Sequence, residues 1–292
     1  MKIFLMYNYK MINPIINKKH KQTYIKDCNR KYVLYEVPFP DEIKELYIVM
    51  NKYLKHQIHN KIITNINGEV VTSYKNRNYV LIEIISKEQE NIRGISEIIY
   101  VDNNVNYLLD RSNWYFLWSK KNDYIEKDYK RIEGKNIYLD ESIDYYIGLA
   151  ENAITYLNVT ENTNNNLIKC ISHKRITENN THNPLNIVID IRERDISEYI
   201  KYLFFSQKIT EKKLEEIISY ILETKLSKEK IYGRLLYPTY FFDIYDIIEE
   251  NENATLEISK IIKRVDEYEK LLINFYTIVS KKTNIKKIDW LN

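Results

Sequence analysis

The chain has 292 residues, enough for one large domain or two lobes with a substantial core. Its 44 Lys and Arg stand against 41 Asp and Glu, so the net charge is only +3. That balance excludes the basic excess expected of a nucleic-acid binder or a polybasic membrane-surface protein. Tyr is abundant at 27 and Gly scarce at 5, and the scarcity of Gly constrains the chemistry below. Cys28 and Cys170 lie far apart with no Cys-x-x-Cys pair, which argues against a disulfide framework or a structural zinc site. Met1 to Met6 is apolar too briefly for a signal peptide, and no run approaches the ~18 apolar residues of a membrane span. The expectation is a cytoplasmic protein with no membrane span and no nucleic-acid partner.

In chain order, residues 1–30 are polar and basic and read as an irregular or strand-containing lead-in. Tyr32 to Val37 is β-branched and aromatic, a strand that Pro38-Phe-Pro40 stops. Asp41 is placed to cap a helix carrying Ile43, Leu46, Tyr47, Met50, Tyr53 and Leu54 on one face. Three short strands follow, at 61–64, 69–74 and 79–84. Asn67-Gly68 reads as a type I′ turn and Asn76 to Asn78 as a second turn. Near residue 100 the pattern becomes helical. Ser112 is placed to cap a helix with Trp114, Leu117, Trp118, Ile125 and Tyr129. Asp140 or Ser142 starts another, through Ile143, Ile147, Ala150, Ile154 and Leu157. Thr210 and Ser227 each cap a helix. One long helix is expected from about Thr255 to Lys281, with Ile258, Ile261, Val265, Leu272, Phe275 and Val279 on one stripe. Strands segregated before helices imply an α+β fold. The expected division is a small strand-rich N-terminal lobe, residues 1–100, and a larger, mainly helical C-terminal lobe, residues 101–292.

Chemistry concentrates in Cys170-Ile-Ser-His-Lys-Arg175, Asn183-Pro-Leu-Asn-Ile-Val-Ile-Asp190 and Arg192-Glu-Arg-Asp195. A short apolar strand leads into a His-x-x turn, a polar loop follows, and a second apolar strand carries an aspartate. In a phosphotransferase such a turn carries the catalytic Asp, and the later Asp holds Mg²⁺. Here His173 matches the His, but Arg175 stands where the Asp belongs, and a guanidinium cannot accept a proton. Asn180 has the spacing of a metal-binding Asn, with Asn183 and Asn186 as alternatives, and Asp190 matches the Mg²⁺ ligand.

The chain resembles the spore-coat-associated YutH/CotS family, a branch of the aminoglycoside-phosphotransferase-like, protein-kinase-like fold. The phrases that carry the resemblance are Tyr145-Tyr-Ile-Gly-Leu-Ala-Glu-Asn-Ala-Ile154, Arg194-Asp-Ile-Ser-Glu-Tyr-Ile200 and Arg234-Leu-Leu-Tyr-Pro-Thr-Tyr-Phe-Phe242. It implies a bilobal kinase-like fold and a role in spore formation, with spore association in a spore-forming host. It does not carry over a reaction.

Missing parts set the functional expectation. No glycine precedes Gly68, so no glycine-rich phosphate loop can lie ahead of the Tyr32 strand. The phosphate-binding lysine position of that strand falls near Tyr35-Glu36, with Lys31 or Lys61 as substitutes. The leading expectation is a pseudokinase: no confident catalytic residue, no nucleotide or metal cofactor, and a role in binding other proteins, spore coat components among them. His173, Arg175 and Asp190 are then vestiges of a site. Two alternatives stay open. One is an atypical small-molecule kinase using Mg-ATP through Asn180 and Asp190; the other is a cleft that binds an anionic metabolite through Lys174 and Arg175. Arg194, Asp195, Glu151 and Asn152 are expected to be structural, Asp195 as a helix cap and Glu151-Asn152 in a buried polar contact near Asp190. His56 and His59, three apart, read as a solvated pair rather than a metal site. Trp114, Trp118 and the tyrosines from Tyr237 to Tyr245 read as core.

Overall fold

The computed structural model describes residues 6–7, 15–19, 22–27, 30–55, 60–85, 98–160, 167–178, 180–249 and 253–291. Cys28, His56 and His59 lie outside the described residues. The fold is α+β, and the chain divides into two compact units. One comprises residues 1–110 with 168–190, the other residues 111–167 with 191–292. Division at residue 100 would assign the segment around His173 and Asp190 to the helical part; in the structure that segment groups with the strand-rich unit.

The first unit is built on strands β1 (Ile15–Lys19), β2 (Gln22–Asp27), β3 (Arg30–Glu36), β4 (Lys61–Ile63), β5 (Thr72–Tyr74) and β6 (Arg77–Ile84). All pair antiparallel in the order β1-β2-β3-β6-β4, and β5 also pairs with β6. Alternation along β6 shows why both faces are covered. Val80 and Ile82 point to one apolar cluster and Leu81 to the other, because successive side chains leave a strand on opposite sides. Helix α1 (Pro40–Tyr53) covers the first face with Ile43, Leu46 and Val49, three residues apart on one helical stripe. Tyr7, Ile25, Tyr32 and Leu34 meet Leu81 on the other.

Three local expectations are corrected here. Asp41 does not cap α1: the cap position is Phe39, Pro40 opens the helix, and Asp41 sits in the first turn bonded to Lys44 at 2.9 Å. The β5–β6 turn is Lys75-Asn76, one residue earlier than expected, with φ of 50° and 60° at the two positions a type I′ turn needs positive. Asn67-Gly68 does lie in a turn, closed by Gly68 N–H to Asn65 O at 2.9 Å, but only Gly68 has positive φ there, so the turn is not type I′, and β4 and β5 each pair with β6. Asn65 organises that loop instead, its Oδ1 accepting the Asn67 and Glu69 N–H groups at 3.0 Å each, while Gly68 takes φ +80°.

The second unit is helical: α2 (Trp114–Ile132), α3 (Ile137–Asp140), α4 (Ile143–Thr160), α5 (Glu193–Phe205), α6 (Glu211–Glu223), α7 (Lys228–Leu236), α8 (Thr239–Tyr245), α9 (Ala254–Ile262) and α10 (Val265–Ser280). Thr210 and Ser227 cap α6 and α7 as expected, accepting from Lys213 N–H at 3.2 Å and Lys230 N–H at 3.1 Å. The cap of α2 is Asn113, not Ser112; its Oδ1 accepts from Phe116 N–H. The long last helix is two helices. The chain leaves helical geometry at Arg264 (φ −114°, ψ 13°), whose Nη1 donates to the Phe204 carbonyl at 2.7 Å and whose Nε pairs with Glu267 at 2.8 Å. No Gly or Pro marks the break, so the apolar stripe reads straight across it. Asp195 is likewise not a cap. Arg192 holds the cap position of α5 and Asp195 is its third residue, buried at 6% exposure.

The three phrases that carry the family resemblance converge in the core of this unit. Tyr146 of α4 stacks on Phe241 of α8 at 3.8 Å, and Arg234 of α7 pairs with Glu198 of α5 at 2.9 Å. Trp114, Trp118, Tyr237 and Tyr245 are core, Trp118 stacking on Tyr237 at 4.2 Å.

Candidate functional site

The site begins with two strands, β7 (Lys169–His173) and β8 (Ile187–Ile191), paired as a two-stranded sheet. Apolar but for Asp190, β8 is buried at every position, as a strand covered on both faces must be. Residues 98–110 hold the outer edges of both strands. Ile171 N–H bonds Ile99 O at 2.9 Å beside β7, and Ile189 N–H bonds Leu109 O at 3.0 Å beside β8. Lys169 and Asp110 close that frame with an ion pair at 2.6 Å, a partnership the sequence reading missed because the residues lie 59 positions apart. Ile187 and Ile189 join the same apolar cluster as Val37, Leu46 and Ile82.

The loop between the strands is a polar knot tied by asparagines. Asn186 is its centre. Its Oδ1 accepts Arg175 N–H at 3.1 Å, and its Nδ2 donates to Arg175 O at 2.7 Å and Asn180 O at 3.0 Å. Its own carbonyl accepts Lys174 N–H at 2.7 Å. Asn183 caps the 3-10 turn Pro184–Asn186 through Leu185 N–H at 3.1 Å. Asn180 Oδ1 accepts Thr177 N–H at 2.8 Å, so the amide at the metal-ligand spacing is already engaged within its own turn. Buried backbone polar groups need partners, and in a loop without secondary structure these side chains supply them.

His173 places Nε2 3.1 Å from Thr181 O. Its neighbour His182 has an imidazole held below its ordinary pKa, by burial first and then by the charge of His173. Arg175 is half-buried, and its Nη1 donates to the neighbouring backbone, Lys174 O, at 2.6 Å. Asp190 is fully buried on β8, and Cys170 Sγ lies 3.4 Å from its carbonyl. Cys170 is a buried thiol. Among the described residues, no group of three or more His, Cys, Asp or Glu is placed to share a metal ion.

On β3, Tyr35 packs in the apolar cluster, with its hydroxyl 3.5 Å from Asn183 Nδ2. Glu36 accepts from Arg77 at 2.9 Å. In the second unit Arg194 is buried, whereas Glu151 and Asn152 are exposed on α4. The burial expected of that pair is not found. Asn152 donates to Gly148 O of its own helix at 2.7 Å, because both residues lie on the stripe of α4 that faces solvent.

Comparison with known proteins supplies the rest. A family profile described as "Spore coat putative kinase YutH" matches residues 2–275. The endospore coat-associated protein YutH of Bacillus subtilis (strain 168) is 28% identical over 207 residues, so the match spans 61% of this chain and 61% of that protein. Among solved structures, the AMP-bound spectinomycin phosphotransferase APH(9)-Ia is similar at a TM-score of 0.60 and 9% identity, covering 94% of this chain and 96% of that one. An aminoglycoside phosphotransferase from Alicyclobacillus acidocaldarius gives 0.58 at 8% identity, covering 95% of each chain. A microcompartment-associated aminopropanol kinase gives 0.52 at 9% identity, covering 94% and 97%. Likeness at such low identity establishes the kinase-like fold and no reaction. No helix among the described residues is long and apolar enough to cross a membrane. The profile match over nearly the whole chain settles the family: this chain belongs to the YutH family of kinase-like spore coat proteins.

Proposed function

We propose that the chain is a pseudokinase of the spore coat, a kinase-like protein that transfers no phosphate and acts by binding other proteins. The observation that carries this reading is Arg175. The resemblance puts this cation at the position of the catalytic base, where it cannot accept a proton, and its guanidinium is bonded to the backbone of its own turn. Three further features support it. Asn180 Oδ1 accepts from Thr177 N–H within its own turn. The expected position of a phosphate-binding lysine falls near Tyr35 and Glu36, and Glu36 is paired to Arg77. No glycine precedes Gly68, so the sequence ahead of β3 offers none to let backbone N–H groups approach a phosphate. On this reading neither ATP nor Mg²⁺ is a resident cofactor, and the protein is spore-associated in a host that forms spores.

Asp190 favours the rival reading, an atypical kinase, since one carboxylate of the right type remains on β8. Thermal unfolding with and without millimolar ATP and Mg²⁺ separates the two. A ligand bound only to the native state at a hundred times its dissociation constant stabilises it by about 2.7 kcal/mol. The pseudokinase reading expects no shift. A Mg²⁺-dependent shift that disappears in Asp190→Asn would overturn it.

A further inference from the structure

In a nucleotide-binding kinase, a glutamate on the helix after the third strand pairs with that strand's lysine, and the pair must be in place for activity. Here β3 ends in Tyr35 and Glu36, and a carboxylate of α1 is used differently. Glu45 accepts Leu109 N–H through Oε1 and Leu108 N–H through Oε2, each at 2.9 Å. One carboxylate thus grips two consecutive backbone donors, a charge-assisted and geometrically selective arrangement. A second tie lies two turns further along α1. Tyr53 Oη sits 3.0 Å from Tyr107 Oη and accepts Asp102 N–H at 3.2 Å. Both ties land on residues 102–109. That segment in turn holds β8 through Leu109 O, and the next residue, Asp110, holds β7 through its pair with Lys169.

We infer that Glu45 and Tyr53 clamp α1 to the backbone segment 102–109, so that this helix is a fixed strut joined to the Asp190 hairpin and not a switch set by nucleotide. The chain of contacts runs from α1 through the segment to β8 entirely within the first unit, and each link is a protein–protein hydrogen bond or ion pair. A helix anchored by its own carboxylate to backbone needs no bound ligand to hold its position. This inference deepens the pseudokinase reading, but the clamp can be tested apart from it.

The test is amide hydrogen exchange on the full chain, resolved at Leu108, Leu109 and Asp102. In Glu45→Ala, exchange at Leu108 and Leu109 is expected to quicken about tenfold or more, as suits loss of bonds to a charged acceptor, while the amides of β3 and β6 keep their protection. Glu45→Gln, nearly isosteric and retaining one acceptor oxygen, is expected to release one of the two amides and guards against a general loss of fold. Tyr53→Phe is expected to release Asp102 alone. Unchanged exchange at Leu108 and Leu109 in both Glu45 variants would overturn the clamp. Adding ATP and Mg²⁺ to the unaltered protein asks the separate question. No change at these amides agrees with a fixed strut, and a change at them would sink the claim that nucleotide does not set α1. If Glu45→Ala still releases the amides in that case, the Glu45 contact stands and the pseudokinase reading is the part that fails.

Discussion

Removing Glu198 should be among the most damaging single changes in the second unit. Arg234 is 1% exposed and Glu198 3%. Glu198 Oε1 accepts from Arg234 Nε at 3.0 Å and lies 2.9 Å from Nη2. The guanidinium lies 4.7 Å from the Trp114 ring centroid and 5.9 Å from that of Trp118, and these rings stack on each other at 5.4 Å. Glu198→Ala therefore removes the carboxylate that Arg234 Nε and Nη2 meet beside two buried indole rings. Breaking a buried pair from one side costs about 3–5 kcal/mol. For a unit of this size each kcal/mol moves the melting midpoint by about 2–4 °C, so the expected drop is about 6–20 °C. The double variant Glu198→Leu with Arg234→Met removes both charges and fills the space, so it should recover most of that loss. Scanning calorimetry or circular dichroism, read at the transition of the helical unit, makes the comparison. A Glu198→Ala midpoint within about 2 °C of the parent, or a double variant no better than Glu198→Ala, would refute the reasoning.

Two other predictions follow from different physics. A Cβ at Gly233 would stand 2.8 Å from Leu157 Cδ2 and 3.2 Å from its Cγ, whereas at Gly148 it would meet nothing within 4 Å. Gly233→Ala should cost about 1–3 kcal/mol by overpacking α7 against α4, and Gly148→Ala, mid-helix, should stabilise by about 0.4–1 kcal/mol; urea midpoints in the opposite order would contradict this. His182 has its pKa depressed in the folded state, by burial and then by His173. Its contribution is full above the unfolded value near 6.5 and is lost as pH falls through the lower folded value, because only the unfolded chain takes the proton readily in that window. The fall in stability from pH 7.5 to pH 5 should be smaller in His182→Asn than in the parent; equal falls would count against the assignment.

Much of the fold was open to reading because its signals are local. The β-branched run at 32–37 became β3, Thr210 and Ser227 became caps, and the aromatic stripes became core, since periodicity and capping act over one or two turns of chain. The absence of any glycine before Gly68 and the arginine at position 175, on which the pseudokinase proposal rests, were also legible, because both are facts of composition and spacing. Errors fell where a choice between neighbours rests on three-dimensional partners. Asn113 rather than Ser112 caps α2, and Arg264 breaks the last helix to reach Phe204.

The sequence by itself determined the segregation of strands from helices, the absence of a glycine phosphate loop and the cation at position 175. Only the tertiary structure decided what the surviving polar residues do. It made Asn186 the knot of the loop, gave Glu45 to the backbone of Leu108 and Leu109, joined Lys169 to Asp110 and buried Arg234 against Glu198. The physical reason is range. A hydrophobic period or a cap is written in adjacent residues, but a polar side chain can be satisfied by any partner that folding brings within about 3 Å, and sequence spacing does not name that partner.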